Sequence, residues 1–170
     1  WLDHTFATVF GLDQRLTPQS ADHYYDVIAE KLATPAFRPR ALFKRFNIEV
    51  IATTEGALDP LLDHKKIMES GWDGRVITTF RPDEVTDPDH ENFAAGLPRL
   101  GEITGEDVTN WKGYLKAWEN RRAFFRAHGA TATDHGPATA QTADLSFSDC
   151  EKLFARVSRG KLEKGDAELF

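Results

Sequence analysis

At 170 residues and 19.1 kDa, the chain is long enough for one ordinary domain with a substantial hydrophobic core. Its 27 acidic residues outnumber 21 basic ones and give a formal net charge of −6, which argues against nucleic acid as a partner. The single cysteine, Cys150, excludes an internal disulfide framework and favours a reducing, cytoplasmic location.

Membrane insertion and secretion are not expected from this sequence. No apolar run approaches the roughly 20 residues that span a bilayer. The opening stretch WLDHTFATVFGL lacks both an initiator Met and a basic region, which is unlike a signal peptide. This opening is typical of an internal segment.

The first 46 residues are predicted to form a helical region, because their apolar residues recur every three or four positions. Gly11 ends the first helix, Ser20 caps the second, and Pro39 suits the first position of the third. The three predicted helices extend over residues 2–10, 20–33 and 39–46.

From residue 47 onward, short β-branched runs alternate with helical segments. IEVIA at 48–52 and RVITTF at 75–80 are predicted strands, and the helix LLDHKKIMES lies between them. A loose stretch rich in Asp and Pro is expected to reach about residue 105.

The strongest helical pattern follows, from about residue 110 to 128, with Thr109 as its cap and with Trp111 and Trp118 in its packing stripe. A third short strand, 130–133, comes next. A last helix is expected to begin at Ser148 and to bury Cys150.

This alternation is typical of parallel βα units that share one sheet. The predicted fold class is therefore α/β, with about three parallel strands and their helices.

Each predicted strand becomes polar where it ends, in the phrases ATTEG, TFRPD and TDHG. In a parallel sheet these ends lie along one edge, where barrels and doubly wound folds place their ligand sites. Thr53, Thr54 and Glu55 are also ordinary turn formers and caps, and Arg81 with Asp83 could equally brace a turn.

Asp134 and His135 favour a functional interpretation, because a helix cap needs no neighbouring imidazole. The remaining histidines do not show the spacings of a metal site: His4, His23, His64, His90 and His128. His64 and His128 lie in helical segments, where solvated or helix-terminal positions are expected. No metal ligand is therefore predicted within this chain.

Two long stretches, LFKRFNIEVIATTEGALDPLLDHKKIMESGWDGRVITTFRPDEV and RRAFFRAHGATATDHG, resemble the uronate isomerase (glucuronate isomerase) family. That family belongs to the metal-dependent amidohydrolase-like barrels, and the resemblance extends over essentially the whole chain. It implies a helical insertion in residues 1–46, followed in residues 47–170 by part of a (β/α) TIM-type barrel.

The resemblance also implies an aldose–ketose isomerase that converts D-glucuronate to D-fructuronate and D-galacturonate to D-tagaturonate. The chemistry moves a proton between C2 and C1 and needs groups that hold the substrate carboxylate and hydroxyls. The candidate substrate-binding residues are Arg81, Asp134, His135, Thr54 and Asp83. None of them is assigned as the catalytic base.

Two departures from the family pattern stand out. Family members often read TDHGHPTA, whereas this chain reads TDHGPATA, with Pro137 where a second His would stand. The family's His-x-His metal ligands lie upstream of this region, and further ligands lie downstream. A divalent metal, expected to be zinc, therefore belongs to the complete enzyme, a homo-oligomer, and the isolated chain is expected to be inactive.

Two alternatives from other classes stay open at this stage. One is a metal-dependent hydrolase of the amidohydrolase superfamily, which would act on a scissile bond. The other is a non-enzymatic interaction module that uses its acidic surface. This second alternative predicts a self-contained monomer without a concave rim formed by Arg81, Asp134 and His135.

Overall fold

The computed structural model describes residues 1–136 and 142–170. They form two compact units, residues 1–49 and 50–170. The division between residues 46 and 47 that the sequence suggested stays a prediction. No helix in the described part of the chain is long and apolar enough to cross a membrane.

The first unit is helical, as predicted. Tyr24 is buried and packs edge-on against Phe6, with ring centroids 5.2 Å apart. Phe10 stacks on Phe37 at 5.3 Å, and Gly11 ends the first helix in the left-handed region at φ 67°. Its helices are α1 (Leu2–Phe10), α2 (Ala21–Leu32), a 3₁₀ turn (Pro35–Phe37) and α3 (Pro39–Arg45).

The second unit contains a small parallel sheet flanked by helices. Its elements are β1 (Val50–Gly56), α4 (Leu62–Glu69), β2 (Arg75–Arg81), α5 (Asp83–Thr86), α6 (Phe93–Thr104), α7 (Trp111–Ala127), α8 (Phe147–Val157) and α9 (Asp166–Leu169). β1 and β2 are parallel, in a register that runs from Val50 opposite Arg75 to Gly56 opposite Arg81.

The third predicted strand is wrong as a strand, because segment 130–133 joins the sheet through a single parallel bridge between Phe80 and Thr133. The Phe80 N–H donates to the Ala132 carbonyl at 3.2 Å, and the Asp134 N–H donates to the Phe80 carbonyl at 2.9 Å. The sheet of the described residues thus has two strands and one bridged segment, whose small side chains bury little surface to stabilise a longer ladder.

The core lies between the sheet and α7. Phe80 meets Trp118 and Phe125 edge-on, with centroids 5.5 and 4.9 Å apart. Tyr114 is buried and donates to the Val85 carbonyl at 2.8 Å, and burial raises the pKa of this phenol, which keeps the donor proton in place. The prediction that Trp111 and Trp118 pack against the core is therefore confirmed.

Two predicted boundaries are wrong for local reasons. β1 continues through Thr53, Thr54 and Glu55 to Gly56, so these residues belong to the ladder and not to a turn. The stretch expected to be loose contains α5 and α6, because buried Leu97 and Leu100 fix α6 against the core despite the internal Pro98.

The capping residues also differ from prediction. Asn110, and not Thr109, accepts the Gly113 N–H at 2.9 Å at the start of α7. Ser146, and not Ser148, caps α8 by accepting the Asp149 N–H. Cys150 is only half-buried, so its prediction as a core residue is wrong.

Candidate functional site

Three polar side chains occupy one face of the sheet at its carboxyl edge. Thr54 lies opposite Thr79 in the ladder, and Arg81 is the last residue of β2. Side chains alternate across a strand, so Thr54 and Arg81 share the face opposite Phe80 and the core. Asp134 immediately follows the bridged residue Thr133 and completes the set.

Asp134 contacts the other two side chains through its Oδ2 atom. Arg81 Nη2 forms an ion pair with this oxygen at 2.9 Å, and Thr54 donates a hydrogen bond to it from its hydroxyl at 3.2 Å. The Arg81 and Asp134 side chains are 46% and 38% exposed, so solvent and a ligand can reach both of them.

Asp83 connects the same group to the loop that follows the bridge. Its Oδ2 accepts the Gly136 N–H at 3.0 Å and lies 3.7 Å from Arg81 Nε. Its Oδ1 lies 3.8 Å from His135 Nδ1. The five candidate residues therefore come together in one group, which we name the rim cluster: Thr54, Arg81, Asp83, Asp134 and His135. Their role in binding substrate stays a prediction.

A cleft of about 640 Å³ lies beside the rim cluster. Asp83, His135 and Gly136 form part of its lining, and Trp111 and Trp118 contribute aromatic surface. A cavity of this size is typical of a small-molecule site, but Arg81, Asp134 and Thr54 are not among the described residues that line it. Pro137, which replaces the second histidine of the family phrase, lies outside the described residues.

The opposite face of the sheet holds a polar network that the sequence did not reveal. His64 is buried, and its Nε2 hydrogen-bonds the Thr53 hydroxyl at 2.9 Å and lies 3.7 Å from Glu55 Oε2. Thr78 donates its hydroxyl to Glu55. His64 lies in the first turn of α4, but its predicted solvated position is wrong, because the side chain is buried. The alternation of β1, which separates Thr53 and Glu55 from Thr54, is the signal that could have indicated this second polar face.

The loop after β1 is fixed by a buried cation from α7. Arg121 donates from Nε to the Ala57 carbonyl at 2.6 Å and from Nη2 to the Asp59 carbonyl at 2.8 Å. Burial lowers the pKa of Arg121 from its usual value. Glu84 accepts the Leu58 N–H at 2.9 Å, so side chains from two helices hold this loop beside the rim cluster.

The described residues do not fit a metal centre. Across residues 1–136 and 142–170, no three His, Cys, Asp or Glu side chains are arranged to hold an ion. The rim cluster has charge complementarity of its own, with one guanidinium between two carboxylates.

A parallel strand pair with its helices makes this an α/β protein, and the polar side chains gathered at the strand ends form a candidate ligand site at the carboxyl edge of the sheet. A model of the glucuronate isomerase family matches residues 1–170. The chain belongs to that family.

Individual relatives agree with this assignment. The chain is 59% identical to a uronate isomerase of Xanthomonas campestris pv. campestris and 60% identical to one of Rhizorhabdus wittichii, each over all of its 170 residues. It spans 36% of the length of these curated relatives.

Solved structures give the same result for the fold. The crystal structure of glucuronate isomerase from Caulobacter crescentus matches with a TM-score of 0.94 and 50% identity, over 100% of this chain and 36% of that one. A uronate isomerase from Thermotoga maritima matches with a TM-score of 0.85 over 95% of this chain and 36% of its own. At 23% identity, this second likeness supports the fold alone.

Proposed function

We propose that the chain is a segment of a hexuronate aldose–ketose isomerase, which converts D-glucuronate to D-fructuronate and D-galacturonate to D-tagaturonate. The observation that carries this proposal is the convergence of the rim cluster in a chain whose full length matches the glucuronate isomerase family. The family match supplies the reaction, and the cluster supplies groups suited to a sugar acid.

In this proposal the βα units are part of a TIM-type barrel that other segments close. The parallel pair β1 and β2 and the bridged segment after α7 support that arrangement. A closed barrel takes eight strands and typically about 250 residues. The rim cluster would then lie at the carboxyl end of the barrel, where barrel enzymes bind their substrates.

Arg81 holds the substrate carboxylate in this scheme. Its Nη2 pairs with Asp134 and its Nε lies 3.7 Å from Asp83, which orients the guanidinium, and the side chain is 46% exposed, so a ligand can reach it. Asp134 uses Oδ2 for Arg81 and Thr54, so its Oδ1 can accept a hydrogen bond from a sugar hydroxyl. His135, the next residue after Asp134, would contact a second hydroxyl.

The proton transfer between C2 and C1 needs a base that no residue of this chain is assigned to supply. A divalent metal, which we propose to be zinc, would be held by residues outside the described part of the chain, because the described residues do not fit one. The contribution of this segment is to bind and orient the sugar acid.

A chimera tests the proposal. These 170 residues would replace the corresponding segment of the Xanthomonas campestris uronate isomerase, with which they share 59% identity. We expect the chimera to isomerise D-glucuronate or D-galacturonate, and the isolated chain to isomerise neither. A folded chimera without isomerase activity would contradict the proposal, and hydrolysis without isomerisation would support the hydrolase alternative.

A further inference from the structure

Asp83 differs from Arg81 and His135 of the rim cluster in exposure and in contacts. Its side chain is 19% exposed, against 41% for His135 and 46% for Arg81. It is the first residue of α5, and it accepts the backbone N–H of Gly136. The carboxylate thus lies behind the exposed side chains and ties the loop after the bridge to the end of β2.

We infer that Asp83 is a positioning residue for His135, and that it determines which ring nitrogen of His135 carries the proton. Asp83 Oδ1 lies 3.8 Å from His135 Nδ1. In a neutral imidazole one nitrogen donates and the other accepts, and the partner of one nitrogen selects the tautomer. At 3.8 Å the interaction is electrostatic, and a carboxylate beside Nδ1 favours the proton on that nitrogen.

The backbone of the loop that contains Gly136 holds the His135 imidazole close to the Asp83 carboxylate. A Cβ atom on residue 136 would lie 3.1 Å from Asp83 Oδ2, so the close approach of this loop to the carboxylate favours glycine. With Oδ2 engaged by the Gly136 N–H, Oδ1 is the oxygen that faces the imidazole. Oδ2 therefore holds the loop backbone, and Oδ1 faces His135.

The Nδ1–H tautomer gives the site a hydrogen-bond acceptor at Nε2 of His135. A proton on Nδ1 leaves Nε2 of His135 unprotonated, on a side chain that lines the cleft. Nε2 can then accept a hydrogen bond from a sugar hydroxyl. The hydrogen bond between Nε2 and a sugar hydroxyl rests on the proposed function, whereas the tautomer itself is a property of the chain.

The test is side-chain ¹⁵N NMR of the 170-residue chain at a pH of about 8.5, well above the ordinary titration range of imidazoles. A His135→Gln spectrum assigns the His135 signals among those of the six histidines. We expect the Nδ1–H tautomer to predominate at His135. A predominant Nε2–H tautomer would overturn the inference.

The variant Asp83→Asn separates the contact of the carboxylate with the Gly136 N–H from its contact with His135 Nδ1. Its single carbonyl oxygen can still accept the Gly136 N–H, while its NH₂ group then faces Nδ1 and favours the Nε2–H form. We therefore expect the tautomer to invert while the Gly136 amide stays protected from hydrogen exchange. An unchanged tautomer in both Asp83→Asn and Asp83→Ala would overturn the inference.

Two further variants complete the design. Asp134→Asn is the matched control, because Asp134 contacts Arg81 and Thr54, and it should leave the His135 tautomer unchanged. If Asp83→Asn loses Gly136 protection, Asp83→Glu decides: a predominant Nδ1–H tautomer supports the inference, and its absence overturns it. An inactive chimera would refute the proposed function without altering this outcome.

Discussion

Arg121 is a buried cation that stabilises a loop through the backbone. Its guanidinium donates to the carbonyls of Ala57 and Asp59 and lies over the Phe124 ring, 4.3 Å from its centroid. Charge-assisted hydrogen bonds of this kind are stronger than neutral ones, and a buried acceptor left without a donor is costly.

Arg121→Met is expected to lower the free energy of unfolding by about 2–4 kcal/mol, because two loop carbonyls lose their charged donor. Urea unfolding followed by circular dichroism measures the change. The neighbouring Arg122 is exposed, so Arg122→Met is a matched control that should stay within about 0.5 kcal/mol. Equal effects from both substitutions would contradict the role of Arg121.

At the residue scale, the sequence predicted which side chains come together in the candidate site. It did not predict the buried polar contacts around that site. Arg81, Asp134 and His135 could be named because polar residues after parallel strands converge at one edge. The buried contacts of His64 and Arg121 could not, because they depend on which helix face meets the sheet. A helical pattern gives spacing but does not reveal the partner of a polar side chain.

At the element scale, the long amphipathic helices and the two β-branched strands were predictable from periodicity. α6 was not, because Pro98 and the Asp-rich stretch before it indicated a loop, while burial of Leu97 and Leu100 decided the outcome. The composition of segment 130–133 is typical of a strand. Strand pairing also depends on the neighbouring strand, and this segment forms only one bridge with β2, between Thr133 and Phe80.

The contact between α8 and α9 provides a prediction about pH. Arg156 pairs with Asp166 through two hydrogen bonds of 2.8 and 2.6 Å, and this pairing lowers the pKa of Asp166 from the ordinary 3.8 to about 2. A depressed carboxyl pKa stabilises the fold fully above the ordinary value, and this stabilisation is lost as pH falls through the folded value.

Asp166→Asn should therefore destabilise the chain at pH 6 and have a progressively smaller effect between about pH 4 and pH 2. Urea denaturation of both proteins across this range gives the difference in unfolding free energy at each pH. Asp63→Asn, in an exposed pair with Lys66, is the control and should show almost no effect. A difference for Asp166→Asn that does not depend on pH would refute the role of the ion pair.

At the scale of the whole molecule, the outer edge of β1 is unpaired among the described residues. Val50 and Ile51 are each 36% exposed along this strand. Unpaired, apolar strand edges favour association with other strands, and charged residues oppose it.

We expect the isolated chain to self-associate as its concentration rises, with Ile51→Lys weakening the association. Sedimentation velocity over a concentration series measures this. Met68→Lys, at an exposed position of α4, is the control and should leave the association unchanged. A strict monomer at every concentration would show that the β1 edge does not drive assembly.

We propose that the strand ends of this segment hold a sugar acid, and Arg81→Gln in the chimera tests this role most directly. With the half-exposed ion pair removed, stability should change by no more than about 1 kcal/mol. The kcat/KM for D-glucuronate should fall about 100-fold or more, because the carboxylate loses its oriented guanidinium. Arg99→Lys, in a surface pair with Glu102, should leave kcat/KM unchanged. An Arg81→Gln chimera with undiminished kcat/KM would contradict the claim.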